Sequence, residues 1–313
     1  MVRMVGGDFM SKPKELIFIF GPQRTGSTLL HNLLKLHPDI HGTPNDLNLL
    51  DVSRKLFRIV KDGKQLRKFS SWGLDGFQGL YKMLLESSDD LNLYQKLIEL
   101  YFKDREESVL VHKNPKAELE LDLYRKMFPS SKYIFCVRNP ISIMASRKHW
   151  VENEDSWVLD TGIYSLISLL KHIQKSLNFI FKSYSIIDEE YGKSDILGIV
   201  FYEDLVQNPK LALNHIINTV GLEINQILSQ VDNLKNPYSS YENNKKKSGL
   251  YTNSIMNWKS ALNPFEIKLI LEDMINFKND YEFKSDVMER QFNKYVNLVK
   301  NTKIKDTTDD RKK

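Results

Sequence analysis

Four short runs of consecutive apolar residues are spread along the chain. They are Leu-Ile-Phe-Ile-Phe at 16–20, Val-Leu-Val-His at 109–112, Tyr-Ile-Phe-Cys-Val at 133–137 and Ile-Leu-Gly-Ile-Val-Phe-Tyr at 196–202. A strand that is covered on both faces needs apolar side chains at nearly every position, and such strands are typical of parallel sheets. The runs therefore predict four strands of a buried, parallel sheet.

The stretches between these runs carry apolar residues at helical spacing. Helices are predicted over Thr28 to Leu36, over Ala117 to Met127, from Pro140 onward and over Tyr164 to Ile187, and a last helix from about Pro264. Strands that alternate with helices form right-handed βαβ units. The pattern predicts an α/β fold: a three-layer sandwich with a central, mainly parallel sheet flanked by helices.

Two segments interrupt this alternation. Residues 45–108 are longer than a crossover between parallel strands needs, so we expect an insertion over one edge of a site. Residues 236–257 are polar and rich in turn-forming residues, which predicts a covering loop. We expect a single domain over 14–295, a flexible N-terminus at 1–13 and a disordered, charged tail at 296–313.

Composition narrows the class of protein. The 313 residues include 45 Lys and Arg against 40 Asp and Glu, a net charge of +5. This surplus suits an anionic ligand and is too small and too dispersed for a nucleic-acid-binding protein. A single cysteine excludes an internal disulfide and is typical of a reducing compartment, and the apolar runs are far shorter than the ~20 residues that cross a bilayer. We therefore expect a cytoplasmic protein without a membrane span.

The first strand leads directly into a glycine-bounded turn, Gly-Pro-Gln-Arg-Thr-Gly-Ser-Thr at 21–28, and then into a leucine-rich helix. Strand, turn and helix together make an anion site, because free N–H groups at the start of the helix point at the ligand. The spacing matches that of a Walker A loop, but Ser27 occupies the position of the essential Lys, and the cation is Arg24. This change argues against ATP or GTP as the donor, although a nucleotide kinase with an atypical loop remains an alternative.

The sequence GPQRTGSTLLHNLLKLHPDIHG resembles the 5′-phosphosulfate loop of the sulfotransferase superfamily, in its bacterial, tyrosylprotein and heparan sulfate branch. These enzymes take sulfate from 3′-phosphoadenylyl sulfate (PAPS), and the resemblance implies a P-loop-like fold. It also implies that the loop holds the nucleotide through Gly21, Gln23, Arg24, Thr25, Gly26, Ser27 and Thr28.

Further segments resemble the same family, in the family's order. Arg138 ends a strand and Ser146 follows two helical turns later, so that both can reach one phosphate, which the resemblance identifies as the 3′-phosphate. Tyr202 in Tyr-Glu-Asp-Leu and the late residues Ser254 and Lys259 resemble other nucleotide-binding positions. The matches extend from about residue 16 to 262.

The resemblance also implies the catalytic residues. Arg24 and Lys113, the latter just before Asn-Pro at the end of the second strand, are expected to face the transferring group. No metal is expected, since no β,γ-phosphate needs neutralising and no ligand cluster is present. The base is expected to be Asp46, which stands where heparan sulfate enzymes have Glu, with His112 and His149 as alternatives.

The acceptor is expected to be a small molecule or a glycan. Residues 45–108 and 149–162 are expected to line its site. Their aromatic residues are Trp72, Phe77, Tyr81, Trp150 and Trp157, which suit a plain core equally well. A protein that binds the product nucleotide, 3′-phosphoadenosine 5′-phosphate (PAP), without catalysis is the alternative from another functional class.

Overall fold

A computed structural model of the protein describes residues 15–43, 83, 86–102, 105–154, 163–234, 249–250 and 252–302. Expectations for 1–13, for 45–82 of the predicted insertion, for 236–248 of the predicted covering loop and for the end of the tail lie outside the described residues. In the described part of the chain, no helix is both long enough and apolar enough to cross a membrane.

Five parallel strands form the sheet at the centre of the molecule. They are β1 (Glu15–Phe20), β2 (Ile40–Gly42), β3 (Val109–Lys113), β4 (Lys132–Val137) and β5 (Ile196–Phe201). Their order in the sheet is β2-β3-β1-β4-β5, and each neighbouring pair is parallel. The carboxyl ends of β1, β3 and β4 therefore lie side by side at one edge, where parallel α/β sheets bind ligands.

Helices cover both faces of the sheet. In chain order they are α1 (Ser27–Leu34), α2 (Asp90–Phe102), α3 (Leu121–Met127), α4 (Pro140–Glu154), α5 (Ile163–Glu190), α6 (Tyr202–Gln207), α7 (Pro209–Thr219), α8 (Ile224–Leu228), α9 (Trp258–Ala261), α10 (Pro264–Asp280) and α11 (Asp286–Lys300). Short 3-10 turns occupy Ala117–Glu120, Val231–Asn233 and Thr252–Ile255.

Alternate side chains of each strand enter two separate cores. Phe18 and Phe20 of β1 pack with residues of α2, α3, α4, α5, α10 and α11 on one face. Ile17 and Ile19 pack with α1, α7 and α8 on the other face. This division follows from the two-residue period of a strand, and it confirms the predicted three-layer sandwich.

The four predicted strands are confirmed, with one change at the end of β5. Tyr202 is the first residue of α6 rather than the last of the strand. No apolar run or helical spacing predicted the bounds of β2, α2, α6, α8, α9 or α11. A strand of three residues, Ile-His-Gly, is too short to show periodicity.

The predicted start of the tail at residue 296 is wrong for its first residues. Helix α11 continues to Lys300 and buries Val296 and Val299. The helix is amphipathic, and these valines continue the buried stripe of Met288, Phe292 and Tyr295. The high charge of the residues that follow concealed this continuation.

Candidate active site

The predicted phosphate loop (residues 21–28) joins β1 to α1 at the carboxyl edge of the sheet. Gly21 and Gly26 adopt φ values of 137° and 92°. A Cβ atom at Gly21 would lie 2.3 Å from the carbonyl oxygen of Cys136, and one at Gly26 would lie 2.3 Å from the ring of Tyr202. Both positions therefore require glycine, for conformation and for space.

Arg24 lies at the tip of the phosphate loop in a left-handed conformation, with φ of 74°. Such a conformation is costly for a residue with a side chain, and it is found where the surrounding structure enforces it, often at functional sites. The Thr25 hydroxyl donates to the Pro22 carbonyl at 2.8 Å and closes the loop on itself. The guanidinium Nε of Arg24 then donates to Ser146 Oγ on α4 at 2.9 Å.

Arg138 begins the segment that joins β4 to α4 and continues into the start of α4. We term residues 138–142 the second turn, to distinguish this segment from the phosphate loop. Its side chain is only 7% exposed and donates to two main-chain carbonyls, that of Arg24 at 3.1 Å and that of Ser254 at 2.9 Å. The guanidinium lies 4.0 Å from the centroid of the Tyr202 ring, and the Tyr202 hydroxyl shares a hydrogen bond of 2.6 Å with Ser254 Oγ. The structure thus brings together Arg24, Ser146, Arg138, Tyr202 and Ser254, which lie far apart in the sequence.

Buried side chains hold the main chain of the second turn in place. The Asn139 N–H donates to a carboxylate oxygen of Glu203 at 3.0 Å, and Tyr295 donates its hydroxyl to the other oxygen at 2.8 Å. The Arg138 N–H donates to the Tyr184 hydroxyl at 3.2 Å, and this hydroxyl donates in turn to the Arg138 carbonyl. Burial raises the pKa of Glu203, while the bond from Asn139 and the charge of Arg138 oppose the change.

Lys113 ends β3, and its side chain is 8% exposed. Its ammonium group donates to Thr28 Oγ1 at 3.0 Å, so it lies against the first turn of α1. Arg24 instead contacts α4 through Ser146. The two predicted catalytic cations therefore belong to different elements: Arg24 lies at the tip of the phosphate loop, and Lys113 ends β3.

His112, one of the alternative bases, points to the other face of β3. Its ring lies edge-on to Phe18, with centroids 5.8 Å apart, and its Nδ1 is 2.9 Å from Thr43 Oγ1. Burial lowers the pKa of His112 to about 3, with further lowering by His31 and Lys113. A buried imidazole with so low a pKa is a weak base.

The main chain of Gly21 is held by residues just beyond Lys113. The Gly21 N–H donates to Glu118 Oε2 at 3.0 Å, and the Gly21 carbonyl accepts from the Lys116 N–H at 3.0 Å. Burial raises the pKa of Glu118, partly offset by hydrogen bonds from Ser183 and from Gly21. The sequence analysis missed this role, because nothing in Ala-Glu-Leu-Glu-Leu-Asp at 117–122 separates Glu118 from the carboxylates beside it.

A further arginine adds to the positive charge of the site. Arg147 follows Ser146 on α4 and is half-buried. Burial lowers the pKa of Arg147, and repulsion by Arg24 lowers it further. Two guanidinium groups that repel each other favour an anionic ligand nearby.

Other predicted residues have different surroundings. Lys259 is exposed, with its ammonium 5.9 Å from the centroid of the Trp258 ring, and Gln23 is exposed as well. Asp46 and the aromatic residues Trp72, Phe77, Tyr81 and Trp157 lie outside the described residues, as do the side chains of His149 and Trp150. Within the described ranges, no cluster of three or more His, Cys, Asp or Glu side chains is arranged to hold a metal ion.

Comparisons with known proteins identify the family and the fold of the chain. A model of the sulfotransferase family matches residues 16–226. The sulfotransferase domain from the curacin biosynthetic pathway superposes with a TM-score of 0.53 at 17% identity, over 92% of this chain and 99% of that chain. Mouse sulfotransferase SULT7A1, solved as a complex with PAP, gives a TM-score of 0.52 at 14% identity, over 93% of this chain and 91% of that chain. At these identities, the likeness shows a shared P-loop-like α/β fold.

Proposed function

Because the chain belongs to the sulfotransferase family, we propose that it transfers a sulfuryl group from PAPS to a hydroxyl or amine of an acceptor molecule. The family and the fold support sulfuryl transfer in general. The choice of PAPS as donor and the role of each residue are the proposal.

The observation that carries this proposal is the position of Arg138. Among the described residues, its Nε atom is buried and has no hydrogen-bond partner, while both terminal nitrogens donate to carbonyls at the edge of the site. A buried guanidinium with unused capacity, close to Arg24 of the phosphate loop and its partner Ser146 on α4, suits a phosphate group. These residues fit the 3′-phosphate that distinguishes PAPS from ATP.

The phosphate loop and the two cations then have distinct roles. Bound PAPS supplies the sulfuryl group, which passes in line to the acceptor while the bridging oxygen stays with the nucleotide. The amide groups at the start of α1 and the left-handed turn at Arg24 position the 5′-phosphate. Lys113, fixed by its bond to Thr28, stabilises negative charge on the leaving oxygen, and Arg24 stabilises charge on the sulfuryl oxygens.

The acceptor half of the site rests on residues outside the described ranges. Asp46 is proposed to take the proton of the acceptor hydroxyl, since the weak basicity and buried position of His112 make it the poorer candidate. The acceptor itself is proposed to be a small molecule or a glycan. Asp46→Asn tests the base, with loss of transfer expected and unchanged nucleotide binding as its control.

Calorimetry of the purified protein tests the donor directly. PAP is expected to bind, and to bind less tightly to Arg138→Ala, while ATP with Mg²⁺ is expected to bind weakly or not at all. Tight binding of ATP together with no response to PAP would overturn the proposal in favour of a kinase.

Transfer of radiolabelled sulfate from PAPS to a panel of alcohols, phenols, amines and glycans tests the reaction. Activity is expected to be lost in Lys113→Ala and in Arg24→Ala. A protein that binds PAP but transfers sulfate to no member of the panel, with binding untouched by Lys113→Ala, would instead be a non-catalytic binder.

A further inference from the structure

Both main-chain groups of Gly21, the first residue of the phosphate loop, are bound by one short segment, which we term the 116–118 clamp (Lys116, Ala117 and Glu118). The Lys116 N–H donates to the Gly21 carbonyl at 3.0 Å. The Gly21 N–H donates to the Glu118 carboxylate, also at 3.0 Å. The peptide groups on either side of Gly21 are thereby fixed in orientation. A glycine without such bonds has access to many backbone conformations.

The clamp is itself anchored to the long helix α5. The second oxygen of Glu118 accepts from Ser183 Oγ at 2.6 Å, and Glu118 is only 1% exposed. The Lys116 ammonium lies 5.5 Å from the centroid of the Phe179 ring, one helical turn before Ser183. Because a buried carboxylate is stable only when its oxygens are satisfied, Glu118 depends on both Gly21 and Ser183.

Backbone strain marks the same segment. Lys116 adopts φ of 76°, and of the described residues other than glycine only Arg24 shares a positive φ. One strained residue lies at the tip of the phosphate loop, and the other binds the carbonyl of Gly21 at the start of that loop. Strain of this kind persists where the surrounding structure imposes it, and it is concentrated at functional sites.

The clamp is also continuous with the strand that carries Lys113. The Asn114 N–H donates to the Ile19 carbonyl at 3.0 Å, which extends the pairing of β1 and β3 by one residue beyond Lys113. Only two residues, Asn114 and Pro115, therefore separate the catalytic candidate Lys113 from the first N–H of the clamp. The bonds of Asn114 to Ile19 and of the clamp to Gly21 therefore tie the start of the phosphate loop to the end of the strand that carries Lys113.

We propose that Glu118 is a positioning residue for sulfuryl transfer, which holds the phosphate loop in register with Lys113 and the helix α5. The role rests on the proposed function, since it concerns the same nucleotide site. Glu118 does not touch the nucleotide. It acts through Gly21. Its loss removes a support at the start of the loop without changing the identity of any loop residue.

Amide hydrogen exchange of the full chain, without nucleotide, tests the clamp directly. Glu118→Ala is expected to raise exchange in the peptide that covers 21–28 by about tenfold, the scale of one lost charge-assisted hydrogen bond. Glu118→Gln is expected to restore protection, since its amide oxygen accepts from Gly21 and its amide nitrogen donates to Ser183. Asp122→Ala, which removes a carboxylate whose side chain is 90% exposed, is the matched control and leaves exchange unchanged.

Calorimetry with PAP then connects the clamp to binding. PAP affinity is expected to fall by about tenfold in Glu118→Ala and to recover in Glu118→Gln. If Glu118→Ala fails to fold, Ser183→Ala replaces it. This variant removes one of the two bonds to the carboxylate and is expected to cause a smaller change in the same direction.

Two outcomes separate the clamp from the proposed function. Unchanged exchange and unchanged PAP affinity in Glu118→Ala would overturn the clamp alone. Failure of the wild-type protein to bind PAP would overturn the proposed function and, with it, the positioning role. Changes in exchange and in PAP affinity that are as large in Glu118→Gln as in Glu118→Ala would also overturn the role, since they would show that the hydrogen bonds with Gly21 and Ser183 do not carry it.

Discussion

The phosphate loop and the second turn lie at the ends of the neighbouring strands β1 and β4, and they achieve a similar rigidity by different means. The phosphate loop depends on its backbone: two glycines, a left-handed arginine and a clamp on Gly21. The second turn depends on side chains, with Arg138 spanning two carbonyls over the Tyr202 ring. In each turn a main-chain N–H donates to a buried carboxylate, Glu118 or Glu203. The comparison indicates that the phosphate loop is sensitive to changes of backbone shape, whereas the second turn is sensitive to the loss of particular hydrogen bonds.

The largest effect is expected from a change of shape in the phosphate loop. Gly21→Ala places a Cβ atom 2.3 Å from the Cys136 carbonyl oxygen at φ of 137°, so the backbone has to move. The free energy of unfolding, measured in urea, is expected to fall by about 3 kcal/mol, and PAP binding is expected to be lost.

Gly192→Ala is the matched control for this change. Gly192 has φ of 90°, but a Cβ atom there would meet no atom within 4 Å. Its cost is expected to be about 1 kcal/mol, the conformational penalty alone, with normal PAP binding. Equal losses in the two variants would show that Gly21 is needed only for its φ and not for space.

The second turn is tested by Arg138→Lys, which keeps the charge and removes the planar fork. A lysine has one nitrogen and cannot donate to the carbonyls of both Arg24 and Ser254 in the geometry that the fork allows. PAP affinity, measured by calorimetry, is expected to fall by roughly 10- to 100-fold. Arg125→Lys, which alters an ion-paired arginine bound to Asp195 and Glu190, is expected to leave PAP affinity unchanged. Full affinity in Arg138→Lys would mean that charge alone matters at this position.

The buried carboxylate of the second turn predicts a dependence of stability on pH. Burial raises the pKa of Glu203, so the folded protein holds its proton more tightly than the unfolded chain does. As the pH rises from the ordinary value of 4.5 through the folded-state pKa, the unfolded chain releases the proton first, and the contribution of Glu203 to stability is lost.

Urea unfolding of the wild type and of Glu203→Gln between pH 4 and pH 8 measures this contribution. As the pH rises, the free energy of unfolding of the wild type is expected to fall relative to that of Glu203→Gln. Glu282→Gln, at a side chain that is 92% exposed, is the control. A difference that does not change with pH would contradict the assignment to Glu203.

The smallest effect is expected from the contact between Tyr202 and Ser254. Tyr202→Phe keeps the ring beneath Arg138 and removes the hydroxyl that bonds to Ser254 Oγ. The free energy of unfolding is expected to fall by about 1 kcal/mol. Ser254→Ala is expected to cost a similar amount, and the double variant is expected to cost less than the sum. Additive losses would show that the two hydroxyls do not act together.

The sequence predicted those parts of the fold and site that depend on local patterns. Apolar runs revealed four strands, and the glycine-bounded turn revealed the phosphate loop, since both signals are contained in a few adjacent residues. Resemblance to a family then named Arg24, Arg138, Ser146, Tyr202 and Ser254, which the fold brings together.

The residues that support the site could not be predicted in this way. Glu118 and Glu203 gain their roles from partners 97 and 64 residues away, and a buried carboxylate has the same appearance in a sequence as an exposed one. Lys259, named by the same resemblance, has an exposed side chain, and its role in nucleotide binding stays a prediction. Such distinctions depend on tertiary packing, which no local pattern records.

Cys136 gives the protein an internal probe of this region. It is the single cysteine of the chain, is buried in β4 and donates its thiol to the Thr25 carbonyl of the phosphate loop at 3.2 Å. Burial raises the pKa of Cys136 to about 12, so at neutral pH the group is a protonated, unreactive thiol. Alkylation therefore requires the packing between β4 and the phosphate loop to open, and the rate of modification by a thiol reagent reports the frequency of that opening. A nucleotide that closes the site is expected to slow this rate without any label being introduced.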